Sequence, residues 1–425
     1  MRLKSFNVLL ITAAALAALA PAAAATPGRC AVPGASFEQR APEELGMDGA
    51  KLEEALDWAV THTSTSIAVY RHRCLAGESK LDQLATSGVQ FDGWSMTKSV
   101  TALIVGRAVK LGLYKPRRRL GRLYPEADAE HAAVRPTHLL KMTAGTHRNW
   151  VRDLSPQEDR VADALSLPFD HTPGSHWEYQ QSNVSWLLNS IERAVGSDDI
   201  QPWAQENLFG PLGIERGWWT WERDRSGNTE GWAHLKMVNQ GWARLGQLML
   251  RKGRWGGERL ISKRWIRKMT TPGKVNNAYG YLTWLNRGGS YVLPNVEGPD
   301  KGRGKLVKSG PRDMFLWAGS GEQRMFAIPS RDLIILRLGE RGSREGDTRA
   351  SVWTGRGGEL DNELVRRVLR AVTDVPYRDP GPYPGSDVFL PPLDDGIVGD
   401  AFDWQHAAAG LGLGPYAPSN QGDER

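Results

Sequence analysis

Leu52, Ala55, Leu56 and Ala59 recur at helical spacing and predict a helix over 48–60, with Asp48 as its cap. Two strands follow at 66–70 and 74–78, joined by the polar turn Arg71-His72-Arg73. Met96, Val100, Leu103, Ile104, Ala108 and Leu111 predict a buried helix from Ser95 to about Leu111, which Gly112 ends. Helices and loops then dominate to about Met269. Within them, 183–195 and 240–251 read as helices ended by Gly196 and Gly253. Strand character returns with short runs at 281–285, 314–318, 324–328 and 333–338, and a last helix spans 361–372.

The order is helix, strands, a long helical middle, strands, helix. It predicts an α/β (α+β) fold in which an antiparallel sheet from both chain ends carries flanking helices. Residues 26–93 and 275–378 form that α/β lobe, and 94–274 form an inserted all-helical lobe. The junction between lobes is where a cleft belongs. Residues 379–425, rich in Pro, Gly and Asp, read as a weakly ordered extension.

The first 25 residues have the pattern of a signal peptide: Arg2 and Lys4, an apolar run over 8–20, and small residues over 22–25. A lone membrane anchor is the alternative. The expected location is periplasmic or secreted, with no stable membrane insertion after cleavage, since no later segment is apolar enough to span a bilayer. Cys30 and Cys74 are the two cysteines, and in an oxidising compartment a disulfide between them is the expectation; two buried thiols are the alternative.

Composition changes this picture little. Hydrophobic residues at 40% and charged residues at 24% exclude wholesale disorder. The net charge of +6 is spread along the chain, and its longest basic run, Arg117-Arg118-Arg119, is too thin a footprint for nucleic acid. Tryptophan supplies 17 of the 36 aromatic residues (17 Trp, 10 Tyr, 9 Phe), which suits a cleft wall or a Trp-packed core.

Candidate chemistry narrows to one segment. There is no G-x-S-x-G, no H-E-x-x-H, no C-x-x-C, no P-loop and no dinucleotide fingerprint, so neither a metal nor an organic cofactor is expected. Ser95-Met96-Thr97-Lys98 is the one S-x-x-K in the chain. It follows a turn-like Phe91-Asp92-Gly93-Trp94 and opens the most apolar helix. The i to i+3 spacing puts serine and lysine on one face. A helix N-terminus favours negative charge on the serine oxygen, and burial lowers a lysine pKa until it can take the serine proton.

The stretch DGWSMTKSV at 92–100 resembles the nucleophile segment of the serine β-lactamase-related hydrolases, class C-like, and most closely the 6-aminohexanoate-dimer hydrolase branch. HLLKMTAG at 138–145, PGSHWEY at 173–179, RLGQLMLRKG at 244–253, and GSGEQ at 319–323 with FAIP at 326–329 resemble further family blocks in the same order. The resemblance implies a β-lactamase/transpeptidase-like fold and a serine hydrolase with Ser95 as nucleophile. Lys98 and Tyr179 would serve as proton-transfer groups, with Lys98 stabilising the phenolate of Tyr179. Where the family commonly has Tyr-Ser-Asn, this chain has Tyr179-Gln180-Gln181, with Asn183 two positions on, so Gln181 or Asn183 would hold the substrate.

The third motif has two candidates. Lys308-Ser309-Gly310 matches the chemistry of the β-lactamase Lys-Thr-Gly, whereas Gly319-Ser320-Gly321 matches its position and carries no cation. The second is preferred, and its backbone would complete an oxyanion hole with that of Ser95. The implied reaction is cleavage of an amide or ester in a small molecule. A β-lactamase or D-amino-acid peptidase is the alternative within the fold, and a catalytically silent binding module the alternative outside catalysis.

Overall fold

The computed structural model describes residues 28–62, 66–79, 88–294, 300–321, 323–339 and 356–382. The expected signal peptide, and the expected extension beyond residue 382, lie outside the described residues. The first helix, α1, is Gly49–His62, followed by β1 (Ser66–Arg71) and β2 (Cys74–Glu78). From the other chain end come β6 (Trp284–Leu285), β9 (Phe315–Ala318), β10 (Arg324–Ile328), β11 (Leu333–Leu338) and the helix α6 (Arg356–Ala371). These strands form one antiparallel sheet in the order β2-β1-β11-β10-β9-β6. The expected α/β architecture, a sheet from both chain ends flanked by helices, is the observed one.

Side-chain alternation along the strands assigns the two faces. Arg324 and Arg337 point toward α6, where both pair with the buried Asp361 at 2.8 and 3.2 Å. Helix α1 packs beside α6. Met325, one residue from Arg324, faces the other way, against helix α5 (Asn239–Leu250). The approach there is close enough to require Gly246: a Cβ at that position would lie 2.4 Å from the sulfur of Met325.

Four details differ from the sequence reading. Helix α5 belongs to the sheet, so the expected lobe boundary at 274 cuts through the α/β layer; an apolar helix face does not reveal what it faces. The insertion is also not all-helical. It shares with the preceding segment a small sheet ordered β3-β5-β4, made of β3 (Phe91–Asp92), β4 (Trp219–Trp221) and β5 (Leu235–Met237). Strands of two or three residues are too short to show an alternation. The expected strand at 281–285 shrinks to β6, because Leu282 takes a left-handed backbone (φ 46°) and donates its N–H to Leu140. The expected helix from Ser95 begins as a 3-10 turn, Trp94–Met96, before helix α2 (Thr97–Lys110).

Cys30 and Cys74 are joined in the structure, with Cα atoms 5.2 Å apart, and tie the N-terminal arm to β2. The bond closes a loop of 44 positions, worth about 3–4 kcal/mol in the chain-entropy model. Arm and strand are also zipped by Arg40 N–H to Leu75 O and Leu75 N–H to Glu38 O, which reduces the gain. We expect the Cys30→Ser, Cys74→Ser double variant to lose about 2–3 kcal/mol of stability in urea titration. An unchanged midpoint would mean that the arm is held without the bond.

Candidate active site

Ser95 sits on a strained turn. Trp94, immediately before it, has φ 45°, a left-handed conformation rare for a bulky residue. Asp92 holds that turn: its Oδ1 accepts the Trp94 N–H at 2.7 Å. Gly93 donates to Leu235 O of β5, and a Cβ on Gly93 would lie 2.3 Å from the Trp242 ring, so only glycine fits. Ser95 lies in the first turn of the 3-10 segment, which leaves its N–H outside the helical ladder.

Lys98 is buried one turn on. Its Nζ lies 2.8 Å from Ser95 Oγ and 2.9 Å from the Trp232 carbonyl oxygen. Burial pushes Lys98 well below the ordinary lysine range, aided by the Arg160 cation and opposed by the carboxylates of Asp153 and Glu230. Burial therefore favours the neutral amine over the ammonium. One N–H donates to the Trp232 carbonyl and another to Ser95 Oγ; in the neutral amine the lone pair can instead face the Ser95 hydroxyl.

Tyr179 completes the cluster. Its hydroxyl is hydrogen-bonded to the Ser95 side chain, and its ring centroid lies 4.7 Å from Lys98 Nζ. Its other neighbours are rings: Trp284 stacks on it at 6.1 Å, Tyr279 meets it edge-on at 6.4 Å, and Trp177 lies 6.1 Å away. Burial in this cage raises the Tyr179 pKa despite the Ser95 hydrogen bond. Both directions run against the expected phenolate stabilised by a Lys98 cation. Desolvation disfavours the charged form of both groups.

Of the two candidate amides beyond Tyr179, Asn183 is turned inward. Its Nδ2 donates to Thr146 Oγ1 at 2.9 Å and to Gln180 Oε1, which ties helix α4 (Ser182–Val195) to the loop below. Gln181 and Asn183 each keep a buried side-chain oxygen without a hydrogen-bond donor, but the Gln181 side chain is not tied to Thr146 and Gln180. The Gln181 N–H and that of Ser182 donate to the two oxygens of Asp153, at 2.6 and 2.9 Å.

The third wall is the end of β9. A Cβ on Gly319 would lie 2.2 Å from Gly93 O and 3.0 Å from Trp94 Cβ, so Gly319 rests directly on the Ser95 turn. Its N–H is spent on Gln323 O, which removes Gly319 as an oxyanion donor. Its carbonyl accepts from the buried Arg324 at 2.8 Å. Ser320 follows, exposed, and Gly321 has φ 62°. Lys308 is exposed on a segment anchored elsewhere: the Ser309 N–H and hydroxyl both bond to Asn362 of α6.

Several site residues carry no sequence signal. Arg160 and Glu230 form a buried pair at 2.9 Å, and Glu230 accepts the Trp232 indole N–H at 2.6 Å, which orients the segment whose carbonyl meets Lys98. Beside the aromatic cage opens a cavity of about 510 Å³, lined among others by Trp177, Val275, Tyr291, Val292, Lys301 and Arg303. The last four come from the hairpin of β7 (Ser290–Leu293) and β8 (Asp300–Arg303). Among the described residues, no group of three or more His, Cys, Asp or Glu could hold a metal ion, and no helix is long and apolar enough to cross a membrane.

The family model described as "Beta-lactamase" matches residues 50–353. No curated protein matches the chain. Solved structures do. A family VIII carboxylesterase superposes with a TM-score of 0.55 at 16% identity, over 76% of this chain and 97% of its own. A Mycobacterium bovis β-lactamase gives 0.53 at 15%, over 75% and 99%. A Bacillus anthracis protein assigned as a 6-aminohexanoate-dimer hydrolase gives 0.53 at 13%, over 68% and 77%. At these identities the likeness is one of fold.

Proposed function

The chain belongs to the β-lactamase family, and on that premise we propose that it is a serine hydrolase that opens an amide or ester bond of a small molecule through an acyl-enzyme on Ser95. The observation that carries the reading is the 2.8 Å contact between Ser95 Oγ and a buried lysine whose amine is held by a backbone carbonyl.

Ser95 Oγ attacks the substrate carbonyl carbon while its proton passes to Lys98 Nζ. The Ser95 N–H, with that of Ser320 just past the end of β9, receives the oxyanion. Collapse breaks the bond to the leaving amine or alcohol, which takes its proton from the Tyr179 hydroxyl. Lys98 returns a proton to Tyr179. Water then attacks the acyl carbon and gives one proton to Lys98; collapse breaks the bond to Ser95 Oγ, which takes that proton back from Lys98 as the acid leaves. Gln181 is the favoured substrate amide. The cavity beside Trp177 takes the remote part of the substrate against an apolar floor and the cations Lys301 and Arg303. The pattern of residues 1–25 supports a site of action outside the cytosol.

Between the bonds a β-lactamase-family enzyme attacks, the wall at 318–321 favours a simple ester or amide. It offers no Lys or Arg to a β-lactam carboxylate. The likeness to a carboxylesterase fold is compatible with this. The test is kcat/KM for p-nitrophenyl butyrate and for a penicillin, with intact mass recorded during turnover. We expect an acyl adduct and an ester preference of roughly 10²-fold, the scale of one missing charge-assisted contact. Gly319→Val should abolish ester turnover, and Lys308→Ala should leave it within about twofold, as for a surface change. A penicillin preference together with a crippled Lys308→Ala would move the third motif to 308–310 and make a β-lactamase the better reading.

A further inference from the structure

Two of the eight described non-glycine residues with left-handed backbone, Trp94 (φ 45°) and His234 (φ 61°), touch each other, their rings 4.9 Å apart. They are 140 positions apart in the chain. His234 Nδ1 lies 2.9 Å from Asp92 Oδ2, and the other oxygen of Asp92 accepts the Trp94 N–H. The imidazole also meets the Trp232 ring edge-on at 5.3 Å, and the Trp232 carbonyl is the anchor of Lys98 Nζ. One ring therefore abuts both the turn that presents the nucleophile and the segment that presents the base.

We propose that Asp92 and His234 form a positioning pair that keeps the Ser95 turn in register with the Lys98 anchor. This rests on the serine-hydrolase reading above. Strained backbone persists only where its surroundings over-determine it, and here the surroundings are this pair. The charged groups around the imidazole are Asp92 and, further off, Glu222 and Glu230. Glu222 is paired with Lys236 and Glu230 with Arg160. Burial works against the imidazolium, but the Asp92 hydrogen bond and the three carboxylates outweigh it and raise the His234 pKa. Asp92 accepts from Nδ1–H in both protonation states, so the parental turn is held on either side of that titration.

The experiment measures the rate of Ser95 labelling by a fluorophosphonate, with melting temperature as the check on folding. His234→Gly tolerates the left-handed backbone and removes the donor; labelling should slow by roughly 10–100-fold, the scale of a lost hydrogen bond to a charged group. His234→Asn also tolerates that backbone and restores a donor toward Asp92, so it should label within about threefold of the parent. In Asp92→Asn the amide N–H faces Nδ1, which must then accept and so requires a neutral imidazole. The ratio of Asp92→Asn to parental labelling should fall as pH drops below about 6.5, the ordinary histidine range. His234→Gly labelling at the parental rate would overturn the pair, as would a pH-independent ratio or an Asn variant as slow as the Gly variant. A parental protein that does not label at all would instead overturn the assignment of Ser95.

Discussion

Ser95→Ala is expected to lose ester turnover by roughly 10⁵–10⁶-fold and to show no acyl or fluorophosphonate adduct. The size follows from the role. Covalent catalysis splits one difficult step into two, and without the oxygen neither half exists. What remains is binding by the cavity and by backbone donors, worth roughly 10³–10⁴ over water in hydrolases of known mechanism. Alanine removes one oxygen from a partly exposed position, so the melting temperature should hardly move. A Ser95→Ala protein that still forms the adduct would place the nucleophile elsewhere.

Lys98→Ala and Tyr179→Phe should each lower kcat by roughly 10²-fold or more, as loss of a positioned acid–base group does. The double variant should be little worse than the lysine variant alone, because both groups serve one proton path. The pH profile separates them. In the proposed mechanism Lys98 acts as the neutral amine, and burial places its pKa below the ordinary lysine range. Parental kcat/KM is therefore full above that depressed pKa and is lost as pH falls through it. Lys98→Ala should erase this acidic limb. Tyr179→Phe should keep it, since the tyrosine hydroxyl stays protonated over the whole range. A Tyr179→Phe enzyme with parental turnover would remove the tyrosine from the path.

What could be read from the chain divides by the length of the signal. Helix α1 and helix α2 announced themselves because four or more residues repeat a helical spacing, and the strands β10 and β11 because each is a run of five or six residues. The strands β3, β4 and β5, which seat the nucleophile turn, are too short to repeat anything. Ser95 and Lys98 were legible because their three-residue spacing is local, and Tyr179 because its flanking residues resemble a family block. The anchor of Lys98 is a backbone carbonyl 134 positions away, and no side-chain pattern can encode a carbonyl. The Asp92–His234 pair bridges 142 positions with two common residue types, so only the fold brings it into view. The cage around Tyr179 was hidden for a related reason: Trp177, Tyr279 and Trp284 surround it, and the sequence does not show that its polar neighbours are outnumbered by rings. The abundant tryptophan serves both of its expected uses, since Trp186, Trp219, Trp242 and Trp317 are fully buried while Trp177 and Trp232 line the site.

The central pairing of β1 with β11 joins Ser66 to Leu338. During synthesis this strand waits for more than half the chain before its partner emerges. A ribosome-bound chain stopped before residue 333 holds β1 with one edge unpaired, and one stopped before 361 also leaves Arg324 and Arg337 without the Asp361 carboxylate. Long-range antiparallel closure of this kind is slow, and it comes last. The wall at Gly319, fixed through Arg324, is therefore set only when the final helix docks. Truncated chains should behave as aggregation-prone clients of chaperones rather than as smaller enzymes.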